Sequence, residues 1–192
     1  FEPDELTNKE FGWKTQFLDH RLQVNGSVYE MDWTNVQTAL YNPLYFGNLT
    51  FGTNGPDFRV KGLELQIVAR VTDELTLEGS GSWNQSEQLN SPNLVGNIPE
   101  SASFGKPIVE RYNPDTGKVE PLANPFGNPG GPTAYSPPLF YSLRARYDWH
   151  INEYAAYAQA GMSFIGHSYS ETDNYPNGDE LPYVTTTALR LM

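Results

Sequence analysis

The chain has 192 residues, a formal net charge of −11 and no cysteine. This size suits one domain or part of a larger one, the acidic balance disfavours nucleic acid as a partner, and the lack of cysteine excludes disulfides and thiolate metal sites. Hydrophobic residues make up 38% of the chain and aromatic residues 14%, with 17 glycines and 15 prolines, which indicates a β protein with long loops.

Seven strand-like segments and no helix are predicted from the alternation of apolar and polar residues, because successive side chains of a strand point to opposite faces. In chain order the segments are about 10–17, 21–35, 58–72, 75–86, 139–149, 154–167 and 183–191. The pattern is clearest where Leu63, Leu65 and Ile67 alternate with Glu64 and Gln66. Most of the segments are longer than the usual strand of a soluble protein, which has about 5–6 residues.

The connections between these segments alternate between short and long. The short ones are about 18–20, 73–74 and 150–153, and the long ones are about 36–57, 87–138 and 169–182. In an up-and-down antiparallel sheet, alternate connections lie at the same end, so all tight turns are expected at one end and all long loops at the other. Bacterial outer-membrane barrels have this asymmetry, with short periplasmic turns and long extracellular loops.

The apolar face of the predicted sheet contains many small residues, notably Ala156, Ala158 and Ala160, and the pair Gly79 and Gly81. A close-packed protein core disfavours such a run, whereas fluid lipid tails fill the space around small side chains. The pattern favours a transmembrane barrel. It leaves open a soluble β-sandwich that binds carbohydrate, in which the apolar faces would pack sheet against sheet.

Charged residues test the membrane interpretation. Arg70, Arg144 and Arg146 have the parity opposite to the apolar residues, so they are predicted to face the lumen of a barrel. A lipid-facing arginine at the bilayer midplane would cost about 2–4 kcal/mol. Glu30 and Asp32 instead share the parity of the apolar residues before them, which predicts either a β-bulge in this strand or a strand that has already left the membrane.

Four runs of the sequence resemble the barrel portion of the TonB-dependent outer-membrane receptors. They are LTNKEFGWK, LDHRLQVNGSVYEMDW, FRVKGLELQIVARVTDELTLEGSGSWN and SPPLFYSLRARYDWHINEYAAYAQAGMSFIGHSYS. The resemblance implies an all-β fold in which residues 1–192 form an antiparallel up-and-down sheet, about seven strands of a larger transmembrane β-barrel. No plug domain, coupling box or C-terminal aromatic residue is recognisable, so a fragment of a receptor is expected.

The resemblance also implies a function and partners. Receptors of this family take up a scarce nutrient, such as an iron–siderophore complex or a carbohydrate, across the bacterial outer membrane. The implied partners are the lipid bilayer, a plug domain that the lumen arginines would contact, and the TonB energy-coupling protein. No enzymatic activity and no cofactor are expected.

Ligand-binding candidates lie in the long loops. Tyr41, Tyr45 and Phe46 fall in the first loop and Tyr135 in the second, and aromatic rings of this kind can stack on a sugar or a siderophore ring. The alternative is that these rings only pack the loops against each other. The three histidines lack the spacing of a metal motif, so no metal site is predicted. Residues 113–118 are predicted to form the tip of a small hairpin in the second loop.

Overall fold

The computed structural model describes residues 2–41, 50–113, 115–127, 129–169, 180–181 and 184–191. These residues form β-strands and no helix, so none of them belongs to a helix able to cross a membrane. In chain order the strands are β1 (Glu5–Phe17), β2 (Leu22–Thr34), β3 (Gln37–Tyr41), β4 (Thr50–Asn54), β5 (Phe58–Arg70), β6 (Leu75–Gln88), β7 (Val109–Asn113), β8 (Lys118–Leu122), β9 (Leu139–Ile151), β10 (Tyr154–Ile165), β11 (Ser168–Tyr169), β12 (Glu180–Leu181) and β13 (Val184–Leu191).

One antiparallel sheet of seven strands organises the fold, in the order β1-β2-β5-β6-β9-β10-β13. The long strands therefore neighbour each other in the order in which they follow along the chain, and the predicted up-and-down sheet is confirmed. Strand β1 begins at Glu5, several residues before its predicted start. The sequence pattern missed this extension because residues 5–9 are mostly polar, although their backbone pairs with the end of β2.

Three small hairpins lie within the connections between the long strands. They are formed by β3 with β4, β7 with β8, and β11 with β12. The hairpin of β7 and β8 is the one predicted around residues 113–118. The sequence did not reveal the hairpin of β3 and β4, because both strands have only five residues and β4 contains Gly52 and Asn54, which weaken the alternating pattern.

The register of β2 is continuous along both of its edges. β2 pairs residue for residue with β1 from Leu22 to Thr34, and with β5 from Leu22 to Trp33. The predicted alternative of a β-bulge in this strand is therefore wrong. Glu30 and Asp32 remain on the face that carries the apolar residues, where they lie opposite Lys61 and Arg59 of β5.

The sheet has two chemically distinct faces. We call the apolar face the one that carries Leu63, Leu65 and Ile67, and the polar face the one that carries Glu64 and Gln66. The cross-strand pairs extend this division over the other strands. Large exposed side chains of the apolar face are Phe11, Phe17, Val28, Leu63, Leu65, Leu77, Trp83, Leu139, Leu143 and Tyr147. In the described part of the chain these side chains stay exposed, whereas a β-sandwich would pack them against a second sheet.

The tight turns are staggered along the sheet. The closing pair of the first turn, Phe17 and Leu22, is level with Ala69, which lies two residues before Val71 at the start of the second turn. Leu75 at the end of the second turn is level with Tyr147, four residues before the third turn begins at Ile151. These steps amount to about 7 Å and about 13 Å in one direction, as strands tilted about a barrel axis require.

Two glycines allow an aromatic ring to lie across the sheet. On the polar face, a Cβ added to the buried Gly62 would overlap the ring of its cross-strand partner Tyr29, whose Cε1 would be 2.8 Å away. On the apolar face, a Cβ on Gly26 would overlap the ring of Trp13 in the same way. The rings cover backbone that a glycine strand residue would otherwise leave bare.

We expect Gly62→Ala to destabilise the sheet by about 1–3 kcal/mol, because the added methyl group must displace the Tyr29 ring. Thermal unfolding of the complete protein in detergent measures this loss. Gly12→Ala is the matched control, since its Cβ would lie at an ordinary 3.6 Å from the nearest atom, the Gly26 carbonyl oxygen. The double variant with Tyr29→Ala should recover part of the loss. Equal effects at the two glycines would contradict this account.

Candidate functional site

The long connections meet at one end of the sheet, where Asp57 ties their roots together. Asp57 Oδ1 accepts a hydrogen bond of 2.8 Å from the Asn35 backbone N–H, and Asp57 Oδ2 accepts one of 2.5 Å from Asn90 Nδ2. The Asp57 backbone N–H donates in return to Asn90 Oδ1 at 2.8 Å. The side chains of Val36 and Phe126 are buried nearby, each 8% exposed. The loops thus have a small apolar core of their own.

Residues 130–138 run beside the end of β6 and are hydrogen-bonded to it. Gln88 is fully buried, and its backbone N–H donates to the Gly131 carbonyl oxygen at 2.9 Å. Thr133 donates to Ser86 Oγ from both its backbone N–H and its hydroxyl group, at 3.0 and 2.7 Å. The Asn84 backbone N–H also donates to the Pro138 carbonyl oxygen, which continues the pairing of β6 with β9, so this segment is anchored beside the end of β6.

Tyr135 projects from this anchored segment. Its side chain is 69% exposed, and its backbone has a φ of +55°, in the left-handed region that residues other than glycine rarely adopt. The next residue, Ser136, donates to Asn84 Oδ1 at 3.3 Å, and Asn84 Nδ2 donates to the Pro137 carbonyl oxygen at 3.2 Å. These hydrogen bonds anchor the segment to β6, and Tyr135 is largely exposed on it.

The other three aromatic candidates lie in the first long connection. Tyr41 is the last residue of β3. Tyr45 and Phe46 lie outside the described residues. The role of the four predicted rings in binding a ligand therefore stays a prediction.

The polar face carries a cavity of about 740 Å³. Its polar lining side chains include Glu10, Lys14, Asn25, Ser27, Glu64, Gln66, Ser80 and Ser82. Asn25 Oδ1 is buried here and accepts no hydrogen bond from the described residues. No group of acidic residues and histidines in the described ranges could hold a metal ion. The cavity thus offers hydrogen-bonding groups to another polar surface.

The three predicted arginines all lie on the polar face, as the cross-strand register shows. Arg144 forms an ion pair with Glu78 of the neighbouring strand. Arg146 donates to both carboxylate oxygens of Asp148, with distances of 2.7 to 3.0 Å, and its guanidinium lies 3.9 Å from the centre of the Tyr157 ring. The exposed Arg70 ends β5 beside the second tight turn.

The residues that pair with these arginines were not found from the sequence. The Glu78–Arg144 pair joins β6 to β9 across a long connection, and only the register of those strands reveals it. The Asp148 partner could have been found, because it lies two residues after Arg146 on the same face of one strand. Asp57 and Asn90 gave no pattern signal, since they lie at the roots of irregular loops.

The hairpin of β7 and β8 has a hydrogen-bonded carboxylate near its tip. Glu120 accepts hydrogen bonds of 2.7 Å from the Thr116 hydroxyl group and 3.1 Å from Asn113 Nδ2. These hydrogen bonds, the one from Thr116 first, hold the pKa of Glu120 below its ordinary value. A lowered pKa in the folded hairpin means that the ionised carboxylate stabilises it above the ordinary glutamate pKa of about 4.3.

We expect the order of this hairpin to decrease as the pH falls below about 4.3 and through the lowered pKa of Glu120, because protonation weakens both hydrogen bonds. Hydrogen exchange of residues 109–122 in the complete protein, followed from pH 6 to pH 3 and expressed as protection factors relative to the intrinsic exchange rate at each pH, measures the change. Glu120→Gln should lower the protection factors of the hairpin at pH 6 and remove most of their pH dependence. Glu110→Gln, on the facing strand, is the control, and an equal effect there would contradict the assignment.

Comparison with known proteins identifies the sheet. The family model described as TonB dependent receptor-like, beta-barrel, matches residues 1–191. The chain belongs to this family. A solved structure of FpvA from P. aeruginosa, bound to heterologous pyoverdines in an iron complex, is 17% identical with a TM-score of 0.51, and the match covers 97% of this chain and 20% of that chain. No sequence match was found among curated proteins.

The chain is part of a transmembrane β-barrel of the TonB-dependent receptor family, and it spans about a fifth of the length of FpvA. In such a barrel the apolar band faces lipid and the alternate residues face the interior. This accounts for the exposed apolar face of the sheet. Aromatic rings lie toward both ends of that face, with Trp83 and Phe11 on the long-loop side and Tyr147 and Trp149 on the tight-turn side.

We expect Leu65→Arg to destabilise the receptor barrel by about 2–4 kcal/mol, because Leu65 lies in the middle of the lipid-facing band. Gln66→Arg is the matched control. It places the same side chain on the adjacent residue of the same strand, but on the polar face, so its effect should be within about 0.5 kcal/mol. Unfolding of the full-length receptor by urea in lipid vesicles measures both. A larger loss for Gln66→Arg would reverse our assignment of the two faces.

Proposed function

We propose that this chain forms part of the wall and external loops of a bacterial outer-membrane receptor that takes up a scarce nutrient by TonB-dependent transport. The observation that supports the proposal is the exposed apolar face of the seven-stranded sheet in a chain that belongs to this barrel family, because a face of this kind suits a lipid surrounding. The tight turns then lie on the periplasmic side and the long connections outside the cell, following the asymmetry of such barrels.

An iron–siderophore complex is the ligand class that we propose for this receptor. FpvA, whose fold this chain shares, is solved in an iron complex with pyoverdine. Tyr135 supports the proposal, because it offers an exposed aromatic ring on a segment that hydrogen bonds to the barrel wall fix in place. Such a ring can stack on a planar metal-chelating group with little loss of side-chain entropy.

The polar face is the proposed contact surface for a plug domain. Its cavity is lined by hydrogen-bonding side chains, and Asn25 Oδ1 is buried there without a donor from the described residues. A buried carbonyl oxygen of this kind is costly unless a partner completes its hydrogen bond. Arg70, Arg144 and Arg146 belong to the same face and would carry charge to this contact. The TonB protein would act through other parts of the receptor.

We expect Tyr135→Ala to weaken binding of a ferric siderophore by roughly three- to tenfold, as loss of one aromatic stacking contact would. Equilibrium binding of radiolabelled ferric pyoverdine to cells that express the full-length receptor measures the affinity. Tyr112→Ala is the matched control, because Tyr112 is also an exposed loop tyrosine, 59% exposed, on the hairpin of β7 and β8.

Two outcomes would contradict this proposal. If Tyr112→Ala weakens binding as much as Tyr135→Ala, the loops contribute without a specific site at Tyr135. If the unmodified receptor binds an oligosaccharide and no ferric siderophore, the ligand class is wrong, although the receptor fold is unaffected. Tyr135→Phe should keep nearly full affinity, since stacking needs the ring and not the hydroxyl group.

A further inference from the structure

The lipid-facing band ends in a row of apolar residues on its long-loop side. Cross-strand pairing places these residues in one line across five strands, and all of them are exposed: Phe11, Val28, Leu63, Trp83 and Leu139. The next line on the same face, two residues further along each strand, contains Lys9, Glu30 and Lys61. The chemistry of this face therefore changes from apolar to ionic within one step.

Lys9, Lys61 and Glu30 form one charged cluster, and we call its two cations the lysine pair. Lys9 Nζ lies 3.8 Å from Glu30 Oε1, and Lys61 Nζ lies 3.2 Å from Glu30 Oε2. The side chains of Lys9 and Lys61 are 69% and 53% exposed, whereas that of Glu30 is 35% exposed. Two ammonium groups thus share one carboxylate that lies beneath them, and the outermost charge of the cluster is positive.

In the neighbouring ion pair, Asp32 with Arg59, one cation faces one carboxylate, so the two charges cancel. Arg59 Nε lies 2.7 Å from Asp32 Oδ1, and the cation is again the more exposed partner. Glu87 lies directly opposite Arg59 on the same face and adds a further negative charge. Over these two lines the three cations and three carboxylates cancel, and a net positive charge of one unit lies at Lys9 and Lys61 with Glu30.

The position of the lysine pair matches the headgroup layer of a bilayer. A step of two residues along a strand is about 6–7 Å, and somewhat less along the membrane normal when the strand is tilted. The polar layer on each side of the hydrocarbon is about 5–8 Å thick. A lipid whose acyl chains lie against Phe11 and Leu63 would therefore bring its phosphate to the level of the two ammonium groups.

We propose that Lys9 and Lys61 form a binding site for the phosphate group of an anionic membrane lipid, with Glu30 spacing the two ammonium groups. The site is on the outside of the barrel wall and is independent of the nutrient that the receptor transports. The receptor binds this lipid at the long-loop edge of its membrane band. Two charge-assisted contacts to one phosphate supply the selectivity, and the apolar row beside them supplies contact with the acyl chains.

Native mass spectrometry of the full-length receptor in a neutral detergent tests the proposal. Dilauroyl phosphatidic acid is titrated against dilauroyl phosphatidylcholine, which has the same chains and a phosphate capped by choline. The unmodified receptor should prefer phosphatidic acid, and Lys9→Gln/Lys61→Gln should reduce its affinity for that lipid roughly tenfold. Lys9→Arg/Lys61→Arg keeps both charges and should stay within about twofold of the unmodified receptor.

Two controls separate this site from bulk charge and from free phosphate. Lys14→Gln removes a cation from the polar face of the same strand as Lys9, so the lipid preference should not change. Glycerol 3-phosphate, the headgroup without acyl chains, should bind at least tenfold more weakly than phosphatidic acid. A preference unchanged in the double glutamine variant, an equal loss in Lys14→Gln, or equal binding of glycerol 3-phosphate would each overturn the proposal.

Discussion

In the hydrocarbon of a bilayer, every backbone N–H and C=O group needs a hydrogen-bond partner from the protein, because an unpaired group costs several kcal/mol there. Strand β2 meets this requirement within the sheet, because ladders run without interruption along both of its edges. A bulge in that strand would have left unpaired groups near the edge of the membrane band. The continuous register keeps Glu30 and Asp32 on the lipid side, and lysine and arginine from the next strand then pair with them.

Because the ladders satisfy the backbone, the side chains of the two faces can suit two different surroundings. Alternation gives one face to lipid and the other to the interior, so the apolar residues contribute little to a conventional core. The buried apolar side chains of the described residues, Val36, Val109 and Phe126, lie instead in the long connections. Order in the loops thus depends on their own small core and on links such as Asp57 with Asn90, whereas order in the wall depends on the ladders.

Much of this architecture could be predicted from period-two alternation, because that pattern is a local property of each strand. The seven long strands and the shared face of Arg70, Arg144 and Arg146 follow from it. The start of β1 and the Glu78–Arg144 pair do not, because the first lacks an apolar pattern and the second depends on register between strands far apart in the chain. The aromatic ring alone identifies Tyr135 as a candidate in the sequence. Its left-handed backbone and the hydrogen bonds that anchor its segment to β6 are visible only in the structure.

The stagger of the tight turns has a mechanical consequence. Because each turn lies further along the sheet than the one before it, a load applied along the membrane normal acts obliquely on the ladders between strands. Many hydrogen bonds then share that load in shear, and they do not open one after another from a free end. The wall that these strands build is therefore stiff along the membrane normal.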